Sequence, residues 1–233
     1  MRNNIFILVA SIFILSCTSK KEGNMIVSGQ IKGLKKGTLY LQKMKDTSLF
    51  SVDSLKLIGT NIFTLSDNVE SPELYYLTFN TNNKEQRILF FGEQGTITIN
   101  DNLEKFGVKT EITGSKNQEI LERYFKINKQ FKNKQLDLLK ENFDAKISKD
   151  ETKIAEVAKK SKNLLKRSYL FTVNFAMNNN EYEAAPYIAL TELANANIKF
   201  LDTINRGLTE KVKNSLYGKQ FQNFIDNIKK SEK

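Results

Sequence analysis

Cys17 is the only cysteine in a chain of 233 residues, and histidine does not occur at all. Without a second thiol there is no disulfide, no dithiol redox pair and no thiolate metal site. Without imidazole there is no Ser-His-Asp or Cys-His nucleophile system, no usual zinc ligand and no easy base near neutral pH. Carboxylates and lysines remain, as many glycosidases use them. Asp53-Ser54 pairs a carboxylate with a hydroxyl, but neighbours on a strand point to opposite faces, so a hydrogen bond at a turn or strand end is expected instead. Gly92-Glu93-Gln94-Gly95 has the glycines of a phosphate loop without its Gly-Lys-Ser/Thr ending or a following helix, and reads as a hairpin turn. Glu70, Glu73 and Glu93 have the side chains for acid–base work or calcium, but nothing in their spacing brings them together. No catalytic residue, metal or cofactor is expected.

The largest electrostatic feature is basic. Net charge is +10, and it is unevenly placed: residues 24–115 hold ten Lys/Arg and ten Asp/Glu, whereas residues 116–233 hold 23 and 15. Lys126, Lys129 and Lys132, with Lys159, Lys160, Lys166 and Arg167 further on, form a candidate contact surface for anionic headgroups or an acidic protein. The bland alternative is a solvated helical face. Screening limits such a surface to a reach of about 8 Å at physiological salt, so it would touch only what is already close.

What is close depends on the N-terminus. Met1-Arg2-Asn3-Asn4 precedes an apolar run, Ile5 to Leu15, that is too short for the roughly 20 residues needed to span a bilayer and has the layout of a secretory signal. Ile14-Leu15-Ser16-Cys17 resembles a lipobox, in which the cysteine is lipidated and becomes the mature N-terminus. The expected organisation is a signal over residues 1–17 with lipidated Cys17, a polar tether over 18–24, a β domain over 25–115 and a helical domain over 116–233. An exported, anchored protein does not routinely meet nucleic acid, so none is expected as partner. The periplasmic face of the outer membrane is the favoured location, since no acidic run follows the cysteine.

The fold class expected is α+β, an antiparallel β-sandwich-like domain followed by a helical bundle. Period-two alternation runs through Met25–Lys32 and Thr38–Met44, read as a hairpin about Gly33–Gly37. Leu49–Ile58 and Asn61–Leu65 flank a Gly59-Thr60 turn, Glu73–Phe79 alternates again, Gln86–Phe91 meets Thr96–Asn100, and Val108–Thr113 closes the set. After Gly114-Ser115 the period lengthens. Ile120, Tyr124, Ile127 and Phe131 mark a helix, Ser148–Glu151 reads as a capping box, and a second helix runs to Asn178 as its antiparallel partner. A third spans Ala184 to about Asn197 with Pro186 in its first turn, and shorter helices cover Leu208–Ser215 and Lys219–Lys230, broken near Gly218. Of Tyr75, Tyr76, Phe90 and Phe91, one member of each adjacent pair should face the helical half, which is expected to cover it.

Val27–Gly33, Val52–Ser54 leading to Gly59–Phe63, Ser71–Tyr75, Leu89–Ile99 and Ile112–Asn117 together resemble the family known as domain of unknown function 4369. That family often forms the N-terminal part of lipid-anchored, thioredoxin-like disulfide reductases. The helical stretch, around Asn178–Leu190 and Asn214–Lys219, looks like the linker before their thioredoxin part. A Cys-x-x-Cys domain would follow there, whereas this sequence ends at Lys233, so the resemblance does not carry redox chemistry onto this chain.

The expectation is a lipid-anchored, non-catalytic envelope protein that binds a protein, peptide or glycan. An in-trans accessory of a thioredoxin-like disulfide reductase is the alternative, and a carboxylate-dependent hydrolase a weaker one. Cells fed a clickable palmitate analogue should label the wild-type chain and not Cys17→Ala, as read by in-gel fluorescence.

Overall fold

The computed structural model describes residues 23–45, 47–81 and 84–231. Cys17 and the signal-like run lie outside them. The β half contains eight strands: β1 (Met25–Lys32), β2 (Lys36–Lys45), β3 (Ser48–Ile58), β4 (Ile62–Asp67), β5 (Glu73–Thr81), β6 (Lys84–Gly92), β7 (Gly95–Asn102) and β8 (Glu111–Thr113). They form two four-stranded sheets, ordered β4-β1-β7-β8 and β3-β2-β5-β6. Alternation directs one side of each strand into the space between them. Val27, Leu39, Leu41, Phe63, Leu65, Leu77, Ile97 and Ile99 are all buried there.

The α+β class is as expected, but several strand connections differ from the sequence reading. β1 and β2 lie in different sheets, not in one hairpin. Gly33 takes a positive φ of 88°, and the next residue, Leu34, is buried in the core while the chain crosses from sheet to sheet. The Gly59-Thr60 and Gly92–Gly95 turns likewise join strands of different sheets. The first sheet is also mixed: β1 runs parallel to β7, with Val27 opposite Ile97, and antiparallel to β4. A short loop between two alternating strands serves a hairpin or a sheet-to-sheet corner equally well, and period alone does not separate them.

Two polar clusters hold the sheets in register. Asp53 Oδ1 accepts the Ser54 N–H at 2.7 Å, and its Oδ2 accepts the Ser66 N–H on β4 at 2.8 Å, so Asp53-Ser54 is a corner fastening. Lys43 on β2 lies 3.1 Å from both Asp67 on β4 and Glu73 on β5, and the Tyr75 hydroxyl donates to Asp67 at 2.7 Å. Burial pulls the Lys43 ammonium down, but hydrogen bonds and charge from the two carboxylates outweigh it and leave the group above its ordinary value. Burial, then the Asp67 hydrogen bond, pushes the Tyr75 hydroxyl well above its ordinary range.

The helical half comprises α1 (Lys116–Ile147), α2 (Glu151–Met177), α3 (Ala184–Glu192), α4 (Ile198–Gly207), α5 (Glu210–Lys213) and α6 (Leu216–Ser231). Ser115 caps α1, its Oγ accepting the Gln118 N–H at 3.1 Å. The expected capping box at Ser148 is corrected. Ser148 still has helical backbone and donates back to the Asp144 and Ala145 carbonyls, Lys149 turns left-handed with φ 55°, and Asp150 caps α2 through the Lys153 N–H. The expected third helix ends at Glu192, and α4, which the sequence reading left out, follows it. α6 runs through Gly218 without a break, because the Ser215 Oγ receives the Gly218 N–H and glycine's missing side chain admits the Val212 carbonyl.

α1 and α2 pack as an antiparallel pair. At about 1.5 Å per residue α1 is roughly 48 Å long; its N-terminal half packs at the junction through Ile120, Leu121 and Tyr124, while its C-terminal half meets α2, with Leu138 and Ala145 buried and Glu141 paired with Lys153. The halves meet at Phe91. Phe90 and Phe91 face opposite sides of β6: Phe90 stacks with Tyr75 inside the sandwich, while Phe91 lies under the rings of Tyr187 and Tyr217, both 5.7 Å away and edge-on. The Phe91 N–H donates to Gln118 Oε1 at 2.9 Å and the Leu74 N–H to the Tyr217 hydroxyl at 3.1 Å. Phe91→Ala should lower the unfolding free energy by about 3–5 kcal/mol, as for a fully buried aromatic, whereas Phe143→Ala, at a position 64% exposed on α1, should change it by about 0.5 kcal/mol or less; denaturant unfolding followed by circular dichroism distinguishes the two.

Candidate functional site

Glu93 lies in the corner between β6 and β7, directly above the first turn of α1. Its Oε1 accepts the Lys116 N–H and its Oε2 accepts from Asn117 Nδ2 at 2.6 Å. A carboxylate here satisfies an otherwise unpaired helix N–H and meets the positive end of the helix dipole. The Gly92–Gly95 stretch thus presents an anion to a helix, where a phosphate loop would receive one.

Asn117 is the hub of this junction. It is 2% exposed, and every polar atom of its side chain is engaged. Nδ2 donates to Glu93 and, at 3.1 Å, to Glu183 Oε2; Oδ1 accepts the Ala184 N–H at 2.8 Å, at the start of α3. One amide therefore joins the sandwich corner, α1 and the α2–α3 connection.

Glu183 is the residue the sequence reading missed. It is 1% exposed, yet its Oε1 has no hydrogen-bond partner among the described residues. The nearest cation, Lys211 Nζ, stands 3.6 Å away on a side chain that is 74% exposed, too far for a hydrogen bond. A buried carboxylate oxygen left this way is costly, and such a group calls for an explanation. Glu183 lies against a cleft of about 470 Å³ between the two halves, whose rim includes Glu70, Glu93, Lys116, Tyr182 and Lys211. The only sequence signal for it was a glutamate one residue before an Ala-Ala-Pro helix start, which is weak.

The residues singled out in the sequence are placed separately. Glu70 and Glu93 share the cleft, whereas Glu73 belongs to the Lys43 cluster. Among the described residues no group of three or more Asp, Glu or Cys side chains could hold a metal ion. Lys126, Lys129, Lys132, Lys159, Lys160, Lys166 and Arg167 are all exposed on α1 and α2, but they do not form one patch. At 100° per residue Lys159 and Lys166 share one side of α2, and Lys160 and Arg167 lie about a quarter turn round. Lys160 pairs with Glu156 at 2.7 Å and Lys132 with Glu192 at 3.2 Å, so these two charges are matched locally. Among the described residues no ion pair engages Lys126, Lys129, Lys159, Lys166 or Arg167. The cleft, not the basic face, is where buried polar groups converge.

The fold and the junction define an α+β protein in which a two-sheet sandwich is capped by helices through a buried polar hub. Residues 25–121 match the model of a family described as Domain of unknown function (DUF4369), the stretch over which that resemblance was expected, and the match extends through Glu93 and Asn117 into α1. No curated protein and no solved structure matches the chain.

Asn117→Ala should cost about 2–3 kcal/mol, because it leaves the Ala184 N–H and two carboxylate oxygens without their partner. Chemical denaturation checks the figure, and the expected local consequence is faster amide exchange at Lys116 and Ala184.

Proposed function

We propose that this chain is a lipid-anchored envelope protein that works as a non-catalytic binding module, with its ligand seated in the cleft between sandwich and helices. The observation that carries the reading is Glu183: a buried carboxylate lining an open cleft, with one oxygen that receives no hydrogen bond, is a feature a ligand would complete. Catalysis draws no support from the site. Glu93 Oε1 caps α1 through the Lys116 N–H, its Oε2 accepts from Asn117 Nδ2, and Asn117 has no free donor, so both residues are committed to holding the junction. Attachment through Cys17 would keep such a module at the membrane, and the outer membrane's periplasmic face is the location we favour. The ligand class is protein, peptide or glycan.

A second reading is favoured by the outer side of α1. Leu136, Leu139, Phe143 and Ile147 are each more than 60% exposed and, at spacings of three and four, follow one another along a single flank. A flank of this kind suits a separate protein, and the resemblance makes a thioredoxin-like disulfide reductase acting in trans the partner to test.

A photo-crosslinking amino acid at Gln94 on the cleft rim, at Lys159 on the basic side of α2, or at Phe143 on the apolar flank separates these readings in intact cells. Adducts from Gln94 alone are expected. Adducts only from Phe143 would move the binding face to the helical arm, and adducts only from Lys159 would return it to the basic surface.

A further inference from the structure

We infer that the cleft takes a ligand through a primary ammonium group, such as the free N-terminus of a peptide or a lysine-like amine, with Glu183 Oε1 as its anchor. The inference rests on the cleft's being the binding seat and adds the chemistry of what occupies it. Glu93 and Glu183 are two carboxylates that share a single neutral donor, Asn117 Nδ2, at 2.6 and 3.1 Å. The amide satisfies hydrogen bonds but cancels no charge. Lys116, the cation nearest in sequence, is already paired with Glu119 at 2.8 Å, and its backbone N–H serves Glu93. Among the described residues Glu93 and Glu183 are then faced by one remaining cation, Lys211, at 3.6 Å from Glu183. Carboxylates thus outnumber free cations in the cleft, and a second cation neutralises what a hydroxyl would only donate to.

Three observations narrow the cation. Only one oxygen is unused, so a compact donor fits better than the two-pronged fork of a guanidinium. Two carboxylates already committed to Asn117 fall short of the about six to eight oxygens that calcium takes. Lys211 shows the preference directly: it is an ammonium drawn to Glu183 Oε1 that stops at 3.6 Å, on a mostly exposed side chain in the four-residue α5. A ligand amine reaching hydrogen-bond distance would take over from this loosely held resident charge. Lys211 is thus a competitor for the seat, which predicts an unusual sign: removing this lysine should strengthen binding.

The test uses the full chain, 15N-labelled in detergent micelles, titrated with glycylglycine amide and with its N-acetyl counterpart, reading the Asn117 side-chain amide signal. The free amine should shift that signal saturably and the acetylated probe at least tenfold more weakly. Glu183→Gln, which keeps shape and the contact to Asn117, should weaken the free amine about tenfold, and Lys211→Met should tighten it several-fold. Equal affinity for the two probes would overturn the ammonium assignment while leaving the cleft as the seat. No shift with either probe, or Lys211→Met binding no better than wild type, would overturn it too, and crosslinking from Gln94 then reports independently on whether the cleft is occupied in cells.

Discussion

Phe90 and Phe91 sit side by side on one strand, and the alternation of a strand forces them to opposite sides. Phe90 is buried in the sandwich whatever follows, because it faces the second sheet. Phe91 would otherwise leave a large aromatic ring in water on the outer side of a finished sheet, at a cost of about 2–3 kcal/mol relative to burial. Tyr187 from α3 and Tyr217 from α6 cover it, and the N-terminal half of α1 packs beside them through Ile120, Leu121 and Tyr124. The helical half is therefore fixed by a requirement of the sheet. Where α1 runs beyond that contact, Leu138 and Ala145 stay buried along its seam with α2, whereas Leu136, Leu139, Phe143 and Ile147 lie on its uncovered side and are exposed.

Polar chemistry at the same junction follows from this packing. Bringing a helix start against a sandwich corner buries N–H groups that need acceptors. Glu93 supplies one from the corner, Asn117 supplies the bridge, and Glu183 closes the circuit from the far side. Two carboxylates at a seam are more than the backbone requires. The surplus acceptor, Glu183 Oε1, is the oxygen that the proposed ligand would complete. Tyr217 contributes to both: burial first, partly opposed by the hydrogen bond from Leu74, holds its hydroxyl above its ordinary value and so neutral, and a neutral hydroxyl can sit between the halves without adding charge to the seam.

The boundary between strands and helices was legible because the period changes at Gly114-Ser115, a change the chain makes within two residues. The Phe90-Phe91 division was legible for the same geometric reason. Sheet membership was not, since Gly33, Gly59 and Gly92–Gly95 are turn residues at a corner as much as in a hairpin, and only long-range pairing, such as Val27 with Ile97, decides. The capping box at Ser148 matched in letters, but Lys149 took the left-handed turn and moved the cap two residues on. Glu93 drew attention as part of a glycine-flanked stretch and proved to be a helix cap. Glu183 drew none, because its burial is created by α1 and α3, which lie 66 residues apart in the chain at their contact.

The uneven charge, conspicuous as a tally, becomes weaker in three dimensions. A helix surface spreads its side chains through a full turn, so lysines close in sequence are often not close in space, as Lys159 and Lys160 illustrate. Several are also taken up by carboxylates three or four residues away or on the neighbouring helix, Lys153 and Lys160 both meeting Glu141. Exposed pairs of this kind contribute little stability, but they lower the local field that a partner would sense. A diffuse positive surface selects ligands poorly, because screening flattens its field. One buried negative oxygen inside a shaped cleft selects well, because desolvation magnifies the difference between a ligand that satisfies it and one that does not. On that ground the one buried carboxylate oxygen without a hydrogen bond among the described residues weighs more in the proposed reading than the whole surplus of lysines.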